Sequence, residues 1–408
     1  MNRFHKKTIY EALGREPVHP FPARMAPGIA LGVMSDIDES LVLDPMMGSG
    51  TVLAMARANG HRGIGFDIDP LAVLISKVWT TAFDPEKIRD EAGTVLEDAW
   101  GDFRNLTAAD AYPSGADDET GQFIRYWFDG YARRQLAALS MTVEKVKSEI
   151  TRNALWCAFS RLIISKQSGA SRAMDLSHSR PHRVFETAPE KPFNKFLSAV
   201  ERVIANGIDK NSPDAGHEPN ITMGDARELP LANNSVDLVL TSPPYLNAID
   251  YIRCSKFSLV WMGYKIADLR KVRTDSVGTE AGDDALDDDR YVRSIIDELR
   301  LRPKLDKRHE RILGRYIHDM RGAIGEVGRV LAKTGKAVYV VGENTLRGTY
   351  IRTSTIVTKL AELAGLSMKE RRRRALPANR RYMPPPSSAQ GSMDARMRRE
   401  VVLSFARA

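Results

Sequence analysis

Short apolar runs alternate with stretches of good helix formers at both ends of this chain. Ser40-Leu41-Val42-Leu43 is a β-branched and Leu-rich run that leads into a Gly-bearing loop. Thr51 to Asn59 then reads as a helix, stopped by Asn59-Gly60. Gly63 to Phe66 predicts a second strand ending at Asp67, and Pro70 to Lys77 a second helix. Strand, Gly loop, helix, acid-ended strand and helix form a βαβ unit of the nucleotide-binding kind. The strand pattern resumes at Ile221 to Asp225, and again at Val236 to Leu240, Ala337 to Val341 and Glu400 to Phe405. Helices are expected over Asp250 to Tyr264, Arg311 to Leu331 and Ser354 to Ala364.

Between Phe83 and Glu218 the periodicity is helical, with Arg133 to Ile150 and Ala154 to Ile164 as its longest stretches. The polar turn SHSRPHR (Ser177 to Arg183) interrupts it; a His-Arg pair there can meet phosphates or simply decorate a surface. Residues 1–30 read as irregular, with prolines at 17, 20, 22 and 27. The expected fold is therefore α/β, a Rossmann-like sheet with a largely helical insertion. The divisions fall at 1–82, 83–218 and 219–408. PPPSSAQGS near the end reads as an exposed loop.

Composition narrows the setting. The 408 residues are 43% hydrophobic and 27% charged, ordinary for a soluble globular protein. No apolar run approaches the ~18 residues that span a bilayer, so no membrane partner is expected. The N-terminus lacks the apolar core of a secretory signal, and a cytoplasmic location is expected. Cys157 and Cys254 lie far apart, which excludes a disulfide framework and a thiolate metal site, and no metal is expected. His178 and His182 have no carboxylate or cysteine to complete a metal set. The net charge of +8 is modest, but its placement is uneven. Lys369 to Arg374 (KERRRR), Arg380, Arg381, Arg396, Arg398 and Arg399 crowd the C-terminal region. Such density suits phosphate neutralisation, against the alternative of a solvated surface. The acidic run Asp283 to Asp289 reads as a solvated loop.

Two loops carry candidate chemistry. Asp44-Pro45-Met46-Met47-Gly48-Ser49-Gly50-Thr51 joins a strand to a helix. Glycine lets backbone approach a ligand without a Cβ in the way. The loop has no lysine before Thr51, so a triphosphate is poorly served and a small zwitterionic or nucleoside ligand fits better. Asp67 is positioned for ribose hydroxyls and Asp225 for an adenine amino group, though an acid after a strand can also cap a helix. The second loop is Thr241-Ser242-Pro243-Pro244-Tyr245 at the end of an apolar strand. Its prolines stiffen the backbone and offer no N–H, leaving carbonyl acceptors beside an aromatic ring. Pro-Pro after a strand also marks a simple turn.

DPMMGSGT, GFDIDP, GDAR and TSPPY in this order resemble the S-adenosylmethionine-dependent DNA amino-methyltransferases, which methylate cytosine N4 or adenine N6. His19 to Arg24 (HPFPAR) resembles the family's cofactor-side motif, and RRYMPPP a late segment of its SPPY-type bacterial members. The resemblance implies a class I methyltransferase fold with S-adenosylmethionine as cofactor and double-stranded DNA as partner. It implies that Asp44, Gly48 and Gly50 line the methionine part of the cofactor, with Phe21, Pro22 and Ala23 near it and Pro45 and Thr51 in the same loop. Asp67 would hold the ribose and Asp225 the adenine. Ser242 and the Pro243 carbonyl would accept from the target amine in a loop stiffened by Pro244, and Tyr245 would stack on a flipped base.

On this resemblance, residues 1–82 form the cofactor half, 83–218 a helical insertion that could serve target recognition, as could the acidic segment after TSPPY, and 219–408 the catalytic half. The Ser-led loop favours cytosine N4. The alternatives are adenine N6, guanine N2 of RNA, and a non-enzymatic DNA-binding regulator on the same scaffold. A companion restriction endonuclease, as half of a restriction–modification pair, belongs with the resemblance. Carbon-5 methylation would need a nucleophilic cysteine; neither cysteine follows a proline or sits in a suggestive loop.

Overall fold

A computed structural model describes residues 6–21, 24–35, 37–176, 181–212, 216–246, 251–279, 290–301, 304–346, 349–375 and 399–408. In chain order its first elements are α1 (Ile9–Leu13), α2 (Pro27–Met34), β1 (Leu41–Asp44), α3 (Thr51–Ala58), β2 (Arg62–Asp67) and α4 (Pro70–Thr80). Next come β3 (Ala82–Phe83), α5 (Pro85–Asn105), α6 (Asp118–Trp127), α7 (Gly130–Glu144), α8 (Glu149–Ile163) and α9 (Pro192–Asn206). Then follow β4 (Ile208–Asp209), β5 (Asn220–Met223), β6 (Val236–Thr241), α10 (Ile252–Leu259), a 3-10 turn at Val260–Met262, α11 (Ile266–Asp275) and α12 (Arg290–Glu298). The chain closes with α13 (Lys307–Val330), β7 (Leu331–Gly342), β8 (Asn344–Leu346), β9 (Thr349–Ile351), α14 (Thr353–Leu363), β10 (Leu366–Ala375) and β11 (Arg399–Arg407).

The chain divides into two compact units. The first comprises Met1–Ile37, Met47–Met223 and Asp250–Val272. Its strands β2 and β5 pair in parallel, from Ile64↔Asn220 to Asp67↔Met223. Helices α5 to α9 form its helical part beside the strands, and the starts of four of them are written in the sequence. Asp84, Asp117, Asp129 and Ser148 each accept from first-turn N–H groups of the helix that follows. Their inner faces meet in one apolar core that includes Trp79, Phe159, Phe196, Phe257 and Trp261, all fully buried.

The second unit comprises Asp38–Met46, Gly224–Ile249 and Arg273–Ala408. Its strands lie in the order β10-β11-β7-β6-β1. The β1–β6 and β6–β7 pairs are parallel, while β7–β11 and β11–β10 are antiparallel. Val338 to Val341 are fully buried, as expected for a strand covered on both faces. Helix α13 ends at Val330 and β7 begins at Leu331, so the crossover needed between parallel strands feeds straight into β7. The class is α/β with a parallel-dominated sheet, as the periodicity predicts.

Two expectations need correction. Residues 1–30 are not wholly irregular. A capping box between Thr8 and Glu11 holds α1, and Pro27 opens α2 at a position where its missing N–H costs nothing. The basic run KERRRR, for which the periodicity predicts no element, forms most of the strand β10, and its last residue, Arg374, is buried rather than solvated. The acidic run, RRYMPPP and residues 177–180 of SHSRPHR lie outside the described residues.

Candidate active site

In the first unit the Gly loop is built around Asp67. Gly48 takes φ +52° and donates its N–H to Asp67 Oδ2 at 2.8 Å, while Met47 N–H donates to the Phe66 carbonyl at 3.0 Å. These bonds tie the loop to the end of β2. Gly50 takes φ +83°, and a Cβ there would sit 2.2 Å from Ser76 Oγ. The loop therefore requires glycine by conformation and by space. Thr51 Oγ1 and Ser76 Oγ are buried and have no hydrogen-bond partner. Orphaned buried hydroxyls are uncommon, and this pair fits a site that holds a polar ligand.

Phe21 is 5% exposed and stacks on Tyr251, with centroids 5.7 Å apart and planes at 25°. Arg24 donates to Ser49 Oγ at 3.3 Å and to the His19 carbonyl, which anchors the HPFPAR segment to the Gly loop. His19 is itself buried against Ser160 at 3.0 Å. Burial, then the neighbouring Arg161 and Arg24, hold its imidazole well below the usual range, so it stays neutral. Pro22 and Ala23 lie outside the described residues.

The helix cap after β2 is Asp69, not Asp67. Asp69 is 4% exposed, accepts from Leu71 N at 2.9 Å and receives the Ser255 hydroxyl at 2.6 Å. Burial raises its carboxyl to about 7, with neighbouring Asp67 adding to the rise and Ser255 opposing it. Burial also raises Asp67 from the ordinary carboxylate value, against N–H donors from Asp69, Gly48 and Ile68. Asp67 is thus free of cap duty.

In the second unit Asp44 closes β1, 3% exposed, and accepts the Thr241 hydroxyl at 2.7 Å and Met46 N at 3.2 Å. Pro45 is buried beside it. Thr241 ends β6, and the loop Ser242 to Tyr245 follows it. The Ser242 hydroxyl donates to the Val340 carbonyl at 3.2 Å, which leaves the oxygen lone pairs as acceptors. Pro243 is buried and Pro244 half-buried. Tyr245 is half-buried, and its phenol donates to Glu400 Oε1 at 3.1 Å. The other oxygen of Glu400 accepts from Arg374 Nη1 at 2.8 Å, a cross-strand pair in register between β11 and β10.

Asp225 is not idle in this unit. Arg227 donates to it from Nε at 3.0 Å, from Nη2 at 2.6 Å and from its backbone N at 2.9 Å. The same guanidinium reaches buried Asp319 at 2.7 Å and the Asp275 carbonyl at 2.6 Å. Its hydrogen bonds to Asp225, then the charges of Asp225 and Asp319, raise the Arg227 pKa further against the effect of burial, so its guanidinium stays charged.

The predicted residues thus fall in two groups. Phe21, Gly48, Gly50, Thr51 and Asp67 belong to the first unit; Asp44, Pro45, Asp225 and Ser242 to Tyr245 belong to the second. The loop passes from one to the other at Met46-Met47. Sequence reasoning gave no role to Asp69, Ser255, Arg227 or Glu400, and it counted Arg374 with the phosphate-neutralising arginines, whereas Arg374 is buried against Glu400. Only Asp69 had a local signal, as the Asp directly before a helix-starting proline. No group of three or more His, Cys, Asp or Glu suited to a metal ion occurs among the described residues.

Against known proteins, no family model matches this chain. The Type II methyltransferase M.MvaI of Kocuria varians is 24% identical over 377 residues, covering 84% of this chain and 80% of that protein. The chain is similar to Type II methyltransferases. A second of them, M.BsoBI of Geobacillus stearothermophilus, is 22% identical over 66% of this chain and 58% of its own length. Among solved structures, a TehB-like SAM-dependent methyltransferase from Corynebacterium glutamicum aligns over 93% of this chain and 86% of its own. It does so at 10% identity and a TM-score of 0.30.

Proposed function

We propose that this chain is an S-adenosylmethionine-dependent DNA methyltransferase acting on an exocyclic amino group, with cytosine N4 favoured. The observation that carries the reading is the Ser242 hydroxyl, whose proton is committed to Val340 and whose lone pairs remain to accept. Similarity to Type II methyltransferases over 84% of the chain supports it. Residues 1–82 would serve the cofactor, 83–218 target recognition, and 219–408 the amine; duplex DNA and a companion endonuclease follow from the same reading.

S-adenosylmethionine supplies an electrophilic methyl group. The Gly loop and Thr51 would seat its methionine part, Phe21 would border it, and Asp67 would accept from the ribose. Asp225 would meet the adenine amine only by sharing its carboxylate with Arg227. The target amine is a poor nucleophile because its lone pair is delocalised into the ring. Ser242 Oγ and the Pro243 carbonyl, accepting its N–H bonds, favour a pyramidal nitrogen and stabilise the positive charge that develops there. Holding the amine in line supplies the proximity contribution. The base must leave its stack first, and the Tyr245 ring offsets that loss by about 1–3 kcal/mol of base–aromatic stacking.

The test is incorporation of tritiated methyl from S-adenosylmethionine into methylation-free genomic DNA, followed by digestion to nucleosides. N4-methylcytosine is expected. N6-methyladenine alone would overturn the base, and methylation of RNA with none of DNA would overturn the polymer.

A further inference from the structure

We propose that the buried Glu400–Arg374 pair positions the Tyr245 ring for the target base; this rests on the function proposed above. A stacking ring is useful only if its plane is held. Tyr245 follows two prolines, which fix its backbone approach but not the rotation of its own side chain. The phenol is therefore the handle, and its partner is a carboxylate 8% exposed on β11. The two Glu400 oxygens serve different donors, Oε1 accepting from Tyr245 at 3.1 Å and Oε2 from Arg374 at 2.8 Å. Arg374 is also 8% exposed, and its place opposite Glu400 is set by a run of antiparallel pairing from Glu370↔Ser404 to Ala375↔Arg399. Glu400 is paired on its other side with Gly342 of β7, so the anchor belongs to the sheet rather than to a loop.

The carboxylate does a second thing. A phenol donating to an anion gains electron density in its ring, and an electron-rich π face attracts positive charge above it. Positive charge develops on the base as the amine is methylated. The anchor should therefore act on turnover more than on binding.

The experiment compares Tyr245→Phe with the double variant Arg374→Met/Glu400→Leu and with the three changes combined, by incorporation of tritiated methyl into methylation-free genomic DNA. Replacing both members of a buried ion pair by apolar residues leaves no lone buried charge, so the double variant is the one expected to fold. Tyr245→Phe and the double variant should each lower kcat about tenfold, with the S-adenosylmethionine Kd unmoved, and the combined variant should be no worse than either, because coupled residues are non-additive. Losses that multiply, or a double variant with wild-type kcat, would overturn the proposal. If the double variant fails to fold, Tyr245→Phe decides alone, and wild-type turnover in it sinks the anchor. Tyr245→Ala separates the two readings. If it too turns over normally the base clamp itself fails, whereas a crippled Tyr245→Ala beside a normal Tyr245→Phe removes only the anchor.

Discussion

At the scale of single residues, the two loop glycines make different demands. Gly48 and Gly50 both sit at positive φ, where an L side chain costs roughly 1–2 kcal/mol. Around Gly48 a Cβ would meet nothing within 4 Å. At Gly50 it would lie 2.2 Å from Ser76 Oγ and 3.2 Å from Ser76 Cα, so the helix backbone itself must give way. Gly48→Ala should therefore lose only the conformational cost and keep most of its cofactor affinity. Gly50→Ala should lose more stability and bind S-adenosylmethionine at least about tenfold more weakly, since misplacing the loop by even part of an ångström is felt across the site. Urea unfolding and calorimetric titration of both variants measure this. Equal effects would mean that the space above Ser76 is not part of the cofactor cradle.

At the scale of elements, strand ends were legible and their partners were not. Periodicity located β1, β2 and β6 within a residue or two and the second half of β7, and the loops after β1, β2 and β6 hold the candidate site residues. The acids at strand ends stood out as types, but which one capped the helix was decided by the register of DIDP: Asp69 caps and Asp67 is released to the loop. β10 was missed because Lys369 to Arg374 breaks hydrophobic alternation; the strand exists through pairing with β11, a contact invisible in local sequence. Glu400 was missed for the same reason, 155 residues from the tyrosine it holds.

Asp69 carries a prediction at this scale because it joins the start of α4 to α10 through Ser255. Its carboxyl stands near 7 in the folded chain against 3.8 for the ordinary group, so between those values the folded state binds more protons than the unfolded one. Stability from this group is then full below about pH 4, falls as pH rises through the window to about 7, and is flat above it. The largest slope a single site can give is about 1.4 kcal/mol per pH unit. Asp69→Asn keeps an acceptor for Leu71 N–H but does not titrate. Wild type should therefore lose stability relative to Asp69→Asn from pH 5 to pH 7, followed by urea unfolding at intervals. Two curves that run parallel across that range would dismiss the raised carboxyl.

For the whole molecule the question is how an excess of eight positive charges, 60 basic against 52 acidic residues, meets a polyanion. A net charge this small gives a modest general attraction, so placement must do the rest. β10 offers a test because alternate residues of a strand share a face. Arg372 lies two residues from Arg374, on the face where Glu400 receives the Tyr245 phenol, and it is exposed with Glu370 as its partner. Arg371 and Arg373 belong to the opposite face, where Arg371 reaches Ser354 of α14 at 2.5 Å. If duplex DNA presents its base to Tyr245, its phosphates run past Arg372 and not past Arg373. Each phosphate contact contributes about 0.9 to the slope of log affinity against log salt. Arg372→Ala should therefore flatten that slope by about one ion and weaken binding at low salt, while Arg373→Ala leaves both unchanged. Fluorescence anisotropy of a labelled duplex across a salt series reads the two slopes directly. A wild-type slope in Arg372→Ala would mean that this arginine serves its acidic neighbour Glu370 rather than a nucleic-acid backbone, and the DNA path would have to be sought on other surfaces of the chain.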